Sequence, residues 1–460
     1  MACCNEHSRA ELVRRGIAEA GRGLPAIEAG MPTPAGTGLS RRSFVAKSMG
    51  VALAVYGGSA LRPQLFDEGI AAAAAAGGNQ KVLLSVFLDG GADSLSMLFP
   101  ADDPDYLALR PRLALPASSG TPFTEDSRLY WHPSLQPLAQ LHAEGKVSVM
   151  PGIGYDHPNQ SHFTSRHFWE VGAADERLTT GWLGRYLDRV GSPDNPLQGL
   201  SLDWSLQPSL ATAKVPIAAI DSPDRYDFWA RGVWGDVHER MIATIGRLGA
   251  LPTHADPGLR QATDATRQSS QRYRQLAPFR GKDEKKGFAS PVAYPESDDR
   301  FPNRLAGLAA MLAAGMPLRV VAMTAPGGYD TPDDQANDLA EGLKLTADSL
   351  LAFQRDLEAR GLADRVLVHV WSEFGRRAKE NGSSGTDHGA AGAGFLIGSR
   401  VKGQMIGEYP GVKQLDEDGN LRATADYRGL YSALLEDWLG ADAVAILPGA
   451  RKFKRPAILR

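Results

Sequence analysis

Cysteine is nearly absent from this chain. Of 460 residues only Cys3 and Cys4 are cysteines, and both precede the segment read below as an export signal. A chain that loses that segment keeps no disulfide, no cysteine nucleophile and no thiolate metal ligand. A domain of this length can bury enough core without such staples. An excess of one charge is also missing: 50 Lys and Arg stand against 53 Asp and Glu, a formal net charge of -3. No global field draws the chain to nucleic acid, and the eight tryptophans are too scattered for a base-stacking platform. No stable membrane span is expected either: the apolar stretch from Met49 through Val55 to Leu61 is short and broken by Gly57 and Gly58. Hydrophobic content of 43% and charged content of 22% exclude a disordered or coiled-coil body.

What is present begins with an address. Ser40-Arg41-Arg42-Ser43-Phe44-Val45 matches a twin-arginine export signal, followed by the mild apolar run and by Ala71 to Ala76, small residues suited to signal peptidase. Residues 1–39, rich in Gly, Ala and Pro, read as a disordered leader. The expected partner is the twin-arginine translocase, and the expected location periplasmic or extracellular. Residues 1–77 are thus an N-terminal extension plus signal peptide. Residues 78–460 are a single domain with a polar insertion near 255–300, which includes the charged run Lys282-Asp283-Glu284-Lys285-Lys286.

Within the domain, continuous apolar runs predict strands buried on both faces: Lys81–Leu88, Lys146–Ile153, Leu318–Thr324, Arg365–Trp371 and a shorter Phe395–Ile397. Helical spacing appears between them over Pro133–Glu144, Asn303–Ala314 and Asp334–Arg360, the last closed by Gly361. The alternation predicts an α/β fold, with a mostly parallel central sheet and helices on both faces.

Such sheets bind ligands at the carboxyl ends of their strands, and polar residues gather there. Asp93 follows the first strand in a Gly-rich turn, with Ser94 beside it. Ser161 and His162 follow the second, at a predicted helix N-terminus where an anion or an activated alkoxide is favoured. There the alternative for Ser161 is a plain N-cap. Asp330, Asp333 and Asp334 follow the third, either as hard-cation ligands or as charges suited to the next helix. Glu373, Arg376 and Arg377 follow the fourth, where Arg suits an oxyanion and the plain alternative is a salt bridge. Asp387 and His388, flanked by glycines, precede the fifth as a metal pair. Each motif alone is weak, but one cleft would collect them all. His369 lies inside a strand and reads as a core residue, and His132 as a helix-start packing residue.

The stretches FLDGGADSLSMLFP (87–100), SHFTSRHFWEVG (161–172), TGWLGRYLD (180–188), GGYDTPDDQ (327–335) and SEFGRRAKENGSSGTDHG (372–389), with Trp438-Leu439-Gly440 near the end, resemble the twin-arginine-exported family called domain of unknown function 1501. That family is similar to the alkaline phosphatase and sulfatase superfamily. The resemblance implies an alkaline-phosphatase-like fold and two divalent metals, with Asp93, His162, Asp330, Glu373, Asp387 and His388 as ligands. It implies Ser161 as nucleophile or His162 as a further ligand, acting on phosphate or sulfate esters, with Arg376 the candidate catalytic cation from its place at the strand end. The metal so implied is Zn, Mn, Ca or Mg, with its identity left open. Pro332 stands where the family has a metal-binding His, which either weakens one site or leaves Asp333 or Asp334 as substitutes. No formylglycine pattern is present, so a sulfatase of that kind is excluded. The alternative is a non-catalytic exported binding or assembly protein that keeps the fold.

Overall fold

The structure is a computed structural model that describes residues 80–226, 233–251, 257–279 and 288–460. The two cysteines, the twin-arginine segment, the alanine stretch and the run at 282–286 lie outside the described residues. The strands of the central sheet are β1 (Val82–Phe87), β2 (Val147–Gly154), β3 (Gly199–Leu202), β4 (Ala218–Ile220), β5 (Val320–Thr324), β6 (Val366–Trp371), β9 (Gly392–Ile397) and β10 (Ala425–Asp426). A hairpin outside it supplies β7 (Arg376–Glu380) and β8 (Thr386–His388). The sheet runs β10-β2-β9-β6-β1-β5-β3-β4. Five of its strands pair only in parallel, and β2 and β6 pair in parallel on one side; the exception is β9, which runs antiparallel to both β2 and β6.

All five predicted strands are in this sheet. Strand β1 shows why continuous apolar runs mark it. Val82, Leu84 and Val86 join one hydrophobic cluster, and Leu83 and Phe87 the other. Alternate side chains enter opposite faces, so a strand covered on both faces cannot alternate polar and apolar residues. On the first face lie helices α1 (Gln136–Ala143), α6 (Phe301–Ala313) and α7 (Gln335–Ala359). On the second lie α2 (His162–Val171), α3 (Trp182–Val190) and α8 (Tyr427–Ala433). The 25-residue α7 closes at Gly361, whose φ of +68° is left-handed. Helices α4 (Gly235–Leu248) and α5 (Pro257–Gln275) pair with each other outside the sheet. No helix among the described residues is long and apolar enough to cross a membrane.

His369 is buried in β6, and neither ring nitrogen has a hydrogen-bond partner. Burial lowers its pKa from 6.5 to about 3. The folded state therefore holds the ring neutral while the unfolded chain protonates it. The stability tied to this neutral ring is complete above pH 6.5 and drains away as pH falls towards 3. His369→Leu removes both the orphaned nitrogens and that acid dependence. We expect a gain of about 1 kcal/mol or more at neutral pH and a flatter urea-midpoint profile between pH 6 and 4. An unchanged acid slope in the variant would assign the slope to other groups.

Candidate functional site

The site forms where the loops after β1, β2, β5 and β6 meet the hairpin β7–β8. Gly90 and Gly91 make the turn after β1, with φ of +128° and +75°. A Cβ on Gly90 would come 2.1 Å from the Asp330 nitrogen, so only glycine lets the two loops touch. The N–H groups of both glycines donate to the Glu373 carboxylate, at 3.1 Å for Gly90 and 3.1 Å for Gly91.

Three side chains converge in this space. His162 at the start of α2, Asp330 after β5 and His388 at the end of β8 each place a ligating atom within 4.8 Å of the others. The two histidines are held alike. His162 Nδ1 lies 2.8 Å from Glu373 Oε1, and His388 Nδ1 lies 2.8 Å from the Gln160 carbonyl. Carboxylate and carbonyl oxygens only accept, so in each neutral ring Nδ1 carries the proton and Nε2 presents a lone pair. Both Nε2 atoms face Asp330, at 3.5 Å for His162 and 3.6 Å for His388. His162 Nε2 is buried and makes no hydrogen bond. Phe374 packs against both imidazoles, with ring centroids 4.9 Å from each.

The local field favours a cation. Burial works against charge on His162, yet the Asp330 and Glu373 carboxylates outweigh it and lift its pKa to about 9. Burial also opposes ionisation of Asp330, but His162, His388 and Arg376 pull its carboxyl far below the ordinary range. Glu373 is held down in the same way by His162 against full burial.

The other expected residues stand elsewhere. Asp93 is fully buried behind the site in a two-pronged ion pair with Arg110, Nη2 to Oδ1 at 2.9 Å and Nη1 to Oδ2. Ser96 Oγ and Gln335 Nε2 also donate to Oδ2 at 2.6 Å each, and Asp93 is not in the cluster with the histidines. Burial raises its pKa, and the Arg110 charge overrides that and lowers it. Asp387 is exposed and accepts from Asn381 Nδ2 at 3.1 Å. It precedes His388 within a strand, and neighbours in a strand point to opposite faces. Glu373 sits behind His162 rather than within the three-residue cluster. The Arg376 guanidinium is buried and taken up by carbonyls of Gly91 (2.7 Å), Thr386 (2.8 Å), Gly90 and Tyr329, and by Asp330 Oδ1 at 2.7 Å. It fixes Asp330 and has no face towards a ligand. Ser161 immediately precedes α2, and its side chain makes no cap to the helix. Pro332, Asp333 and Asp334 are exposed.

Arg166 was not singled out by the sequence reading. It lies one turn beyond His162 on α2, paired with Glu170 at 2.7 Å and Asp89 at 3.6 Å. Its place at i+4 from His162 was the available signal. The Gln160 carbonyl and the Arg110 partner had none, being a backbone atom and a residue 17 positions from Asp93.

The sequence profile of a family described as "Protein of unknown function (DUF1501)" matches residues 170–425, a stretch that includes Asp330 and His388. No curated protein matches the chain. Among solved structures it is similar to the lipoteichoic acid synthase LtaP from Listeria monocytogenes (TM-score 0.35, 8% identity, 84% of this chain and 77% of that one). It is also similar to the C-terminal periplasmic domain of EcEptC from Escherichia coli in complex with Zn (TM-score 0.34, 9% identity, 81% and 88%). A third is the sulfatase PsFucS1 from Pseudoalteromonas sp. (TM-score 0.33, 12% identity, 84% and 74%).

Proposed function

The chain belongs to the DUF1501 family of proteins of unknown function, and from that premise we propose that it is an exported, metal-dependent hydrolase of phosphate or sulfate esters. The observation that carries this reading is the paired anchoring of His162 and His388, each fixed through Nδ1 and each turning Nε2 to the same Asp330 carboxylate. That is how metal-ligating histidines are held, the second nitrogen bonded to a carboxylate or a backbone carbonyl. Two imidazoles and one carboxylate suit Zn or a similar borderline ion and leave a coordination position open for a substrate. The described residues supply one such cluster, so the proposal is for one ion and not two.

A bound ion would supply Lewis-acid polarisation of the ester and charge neutralisation. The chain's own residues do the rest. Glu373 keeps His162 in the required tautomer, and the Gln160 carbonyl does the same for His388. Arg376 fixes the Asp330 carboxylate against rotation. Ser161, at the N-terminus of α2, is the proposed nucleophile, in a place where the helix dipole favours developing negative charge. Its Oγ would form the bond to phosphorus or sulfur while the ester oxygen leaves as the alcohol, taking the serine's own proton relayed through a water. A second water then releases the acid and restores the serine. Export by the twin-arginine route is consistent with metal loading before translocation.

The test is turnover of 4-nitrophenyl phosphate and 4-nitrophenyl sulfate by the full chain, with and without added Zn, Mn, Ca or Mg. Metal-dependent release from either ester supports the reading. No release from either, with a bound metal confirmed, refutes it for both ester classes. Glu373→Gln keeps shape and loses charge, and it is expected to weaken metal affinity by roughly 10- to 100-fold in a competition titration with a chelator. Asp387→Asn should leave that affinity unchanged.

A further inference from the structure

A cavity of about 510 Å³ is lined in part by Arg166, Asp203, Trp204, Gln207, Arg300 and Thr324. It lies at the carboxyl ends of β3 and β5, the place where such sheets take ligands. Two chain segments join it to the centre. Arg166 stands one helical turn from His162, and Gly327 on the cavity wall is three residues before Asp330. The volume suits a small molecule or one end of a larger one.

Trp204 is the unusual member. Its side chain is among the largest in the protein, and it is 74% exposed. It is nevertheless held in place. Its backbone N–H donates to Asp203 Oδ1 at 2.8 Å, and the Arg300 guanidinium lies 5.0 Å from its ring centroid. Arg300 is itself anchored by an ion pair with Asp221. An indole kept open at the rim of a cavity offers a flat stacking face. The wall beneath it is polar. Gln207 Nε2 donates to Asp203 Oδ2 at 2.7 Å and to Thr324 Oγ1 at 2.8 Å.

This combination selects among ligand classes. A lipid chain calls for an apolar wall, which this is not. A bare anion calls for uncompensated cations, yet Arg300 and Arg304 already pair with Asp221, and Arg304 also lies 3.6 Å from Asp203. A sugar ring fits both features: its C–H face stacks on an aromatic plane, and its hydroxyls donate and accept hydrogen bonds along a mixed wall. We propose that the cavity binds the sugar ring of a saccharide phosphate or sulfate ester, with Trp204 stacked on the ring. Arg166 then lies between that ring and the centre, where the ester group sits at His162, Asp330 and His388. This inference rests on the hydrolase reading for the fate of the ester and on the cavity alone for the binding of the sugar.

The experiment is a binding titration by calorimetry on the full chain and on Trp204→Ala and Trp204→Phe. The probes are glucose 6-phosphate, N-acetylglucosamine 6-sulfate, their parent sugars, and adenine as an aromatic control without a sugar. Saccharide binding is expected, weakened roughly tenfold in Trp204→Ala and partly restored in Trp204→Phe. Binding of adenine without the sugars, binding indifferent to Trp204, or no sugar binding would each overturn the proposal. Trp204-dependent sugar binding with no ester hydrolysis would keep the cavity's occupant and remove the hydrolase reading. Metal-dependent aryl ester turnover without sugar binding would do the reverse.

Discussion

Asp330→Asn should give a folded protein that no longer retains a metal ion, with ester turnover lower by at least about 100-fold. Asp330 is the one carboxylate that both histidines face, and its two oxygens divide between them: Oδ1 towards His388 and Oδ2 towards His162. The amide keeps the shape of the side chain but removes the charge that offsets a cation. It leaves Arg376 with its carbonyl partners at Gly91, Thr386, Gly90 and Tyr329, so the loop should stay in place. Metal content and turnover together are the readout. Unchanged metal content in a folded Asp330→Asn protein would place the ion elsewhere.

Arg110→Ala should have the largest effect on stability, about 3–5 kcal/mol, measured by urea unfolding at pH 7. The substitution leaves the Asp93 carboxylate fully buried with no cation beside it. It also removes the donors to the Ala378 and Arg377 carbonyls, which tie the β7 strand to the turn after β1. Burial alone pushes the Asp93 carboxyl up, so the lone residue would take a proton rather than stay charged. The pair works together, and the double substitution Asp93→Asn with Arg110→Met should therefore cost less than the sum of the two single changes. Metal content per folded molecule should be unaffected in Asp93→Asn, since the carboxylate is bonded to Arg110, Ser96 and Gln335. Loss of the ion in that variant, with the fold intact, would make Asp93 a ligand after all.

Much of the fold was legible for a simple physical reason. A strand covered on both faces must be apolar at nearly every position, and the runs at β1, β2, β5 and β6 are, apart from Ser85, Ser148, Thr324 and His369. The edge strands β3 and β4 were not legible, because GLSL and AAI are short, small-residue sequences with no such run. Nor does Phe395-Leu396-Ile397 encode its direction, so the antiparallel placement of β9 had to come from the structure.

The site was legible by position more than by role. His162, Asp330 and His388 were all named, since each stands at a strand or helix end facing one cleft. Glu373 and Arg376 were named as well, but composition does not separate a group that meets a ligand from one that holds its neighbour. Glu373 Oε1 is occupied by His162, and the Arg376 donors are taken up by carbonyls and Asp330. The separation of Asp387 from His388 had a usable sign. Asn381 to Gly385 forms a turn, and once a hairpin is drawn there its strand sends the two residues to opposite faces. The Asp93–Arg110 pair had none, because no spacing rule joins the turn after β1 to Arg110 at the end of the later helix Pro104–Leu109.

The most direct test of the central claim is elemental analysis of the full chain, purified without chelator, beside His388→Ala and Asp330→Asn. The account predicts about one equivalent of Zn or another divalent ion in the parent protein and a near-complete loss in both variants. A parent protein that takes up no ion after incubation with Zn, Mn, Ca or Mg would contradict it, as would variants that keep the ion in full.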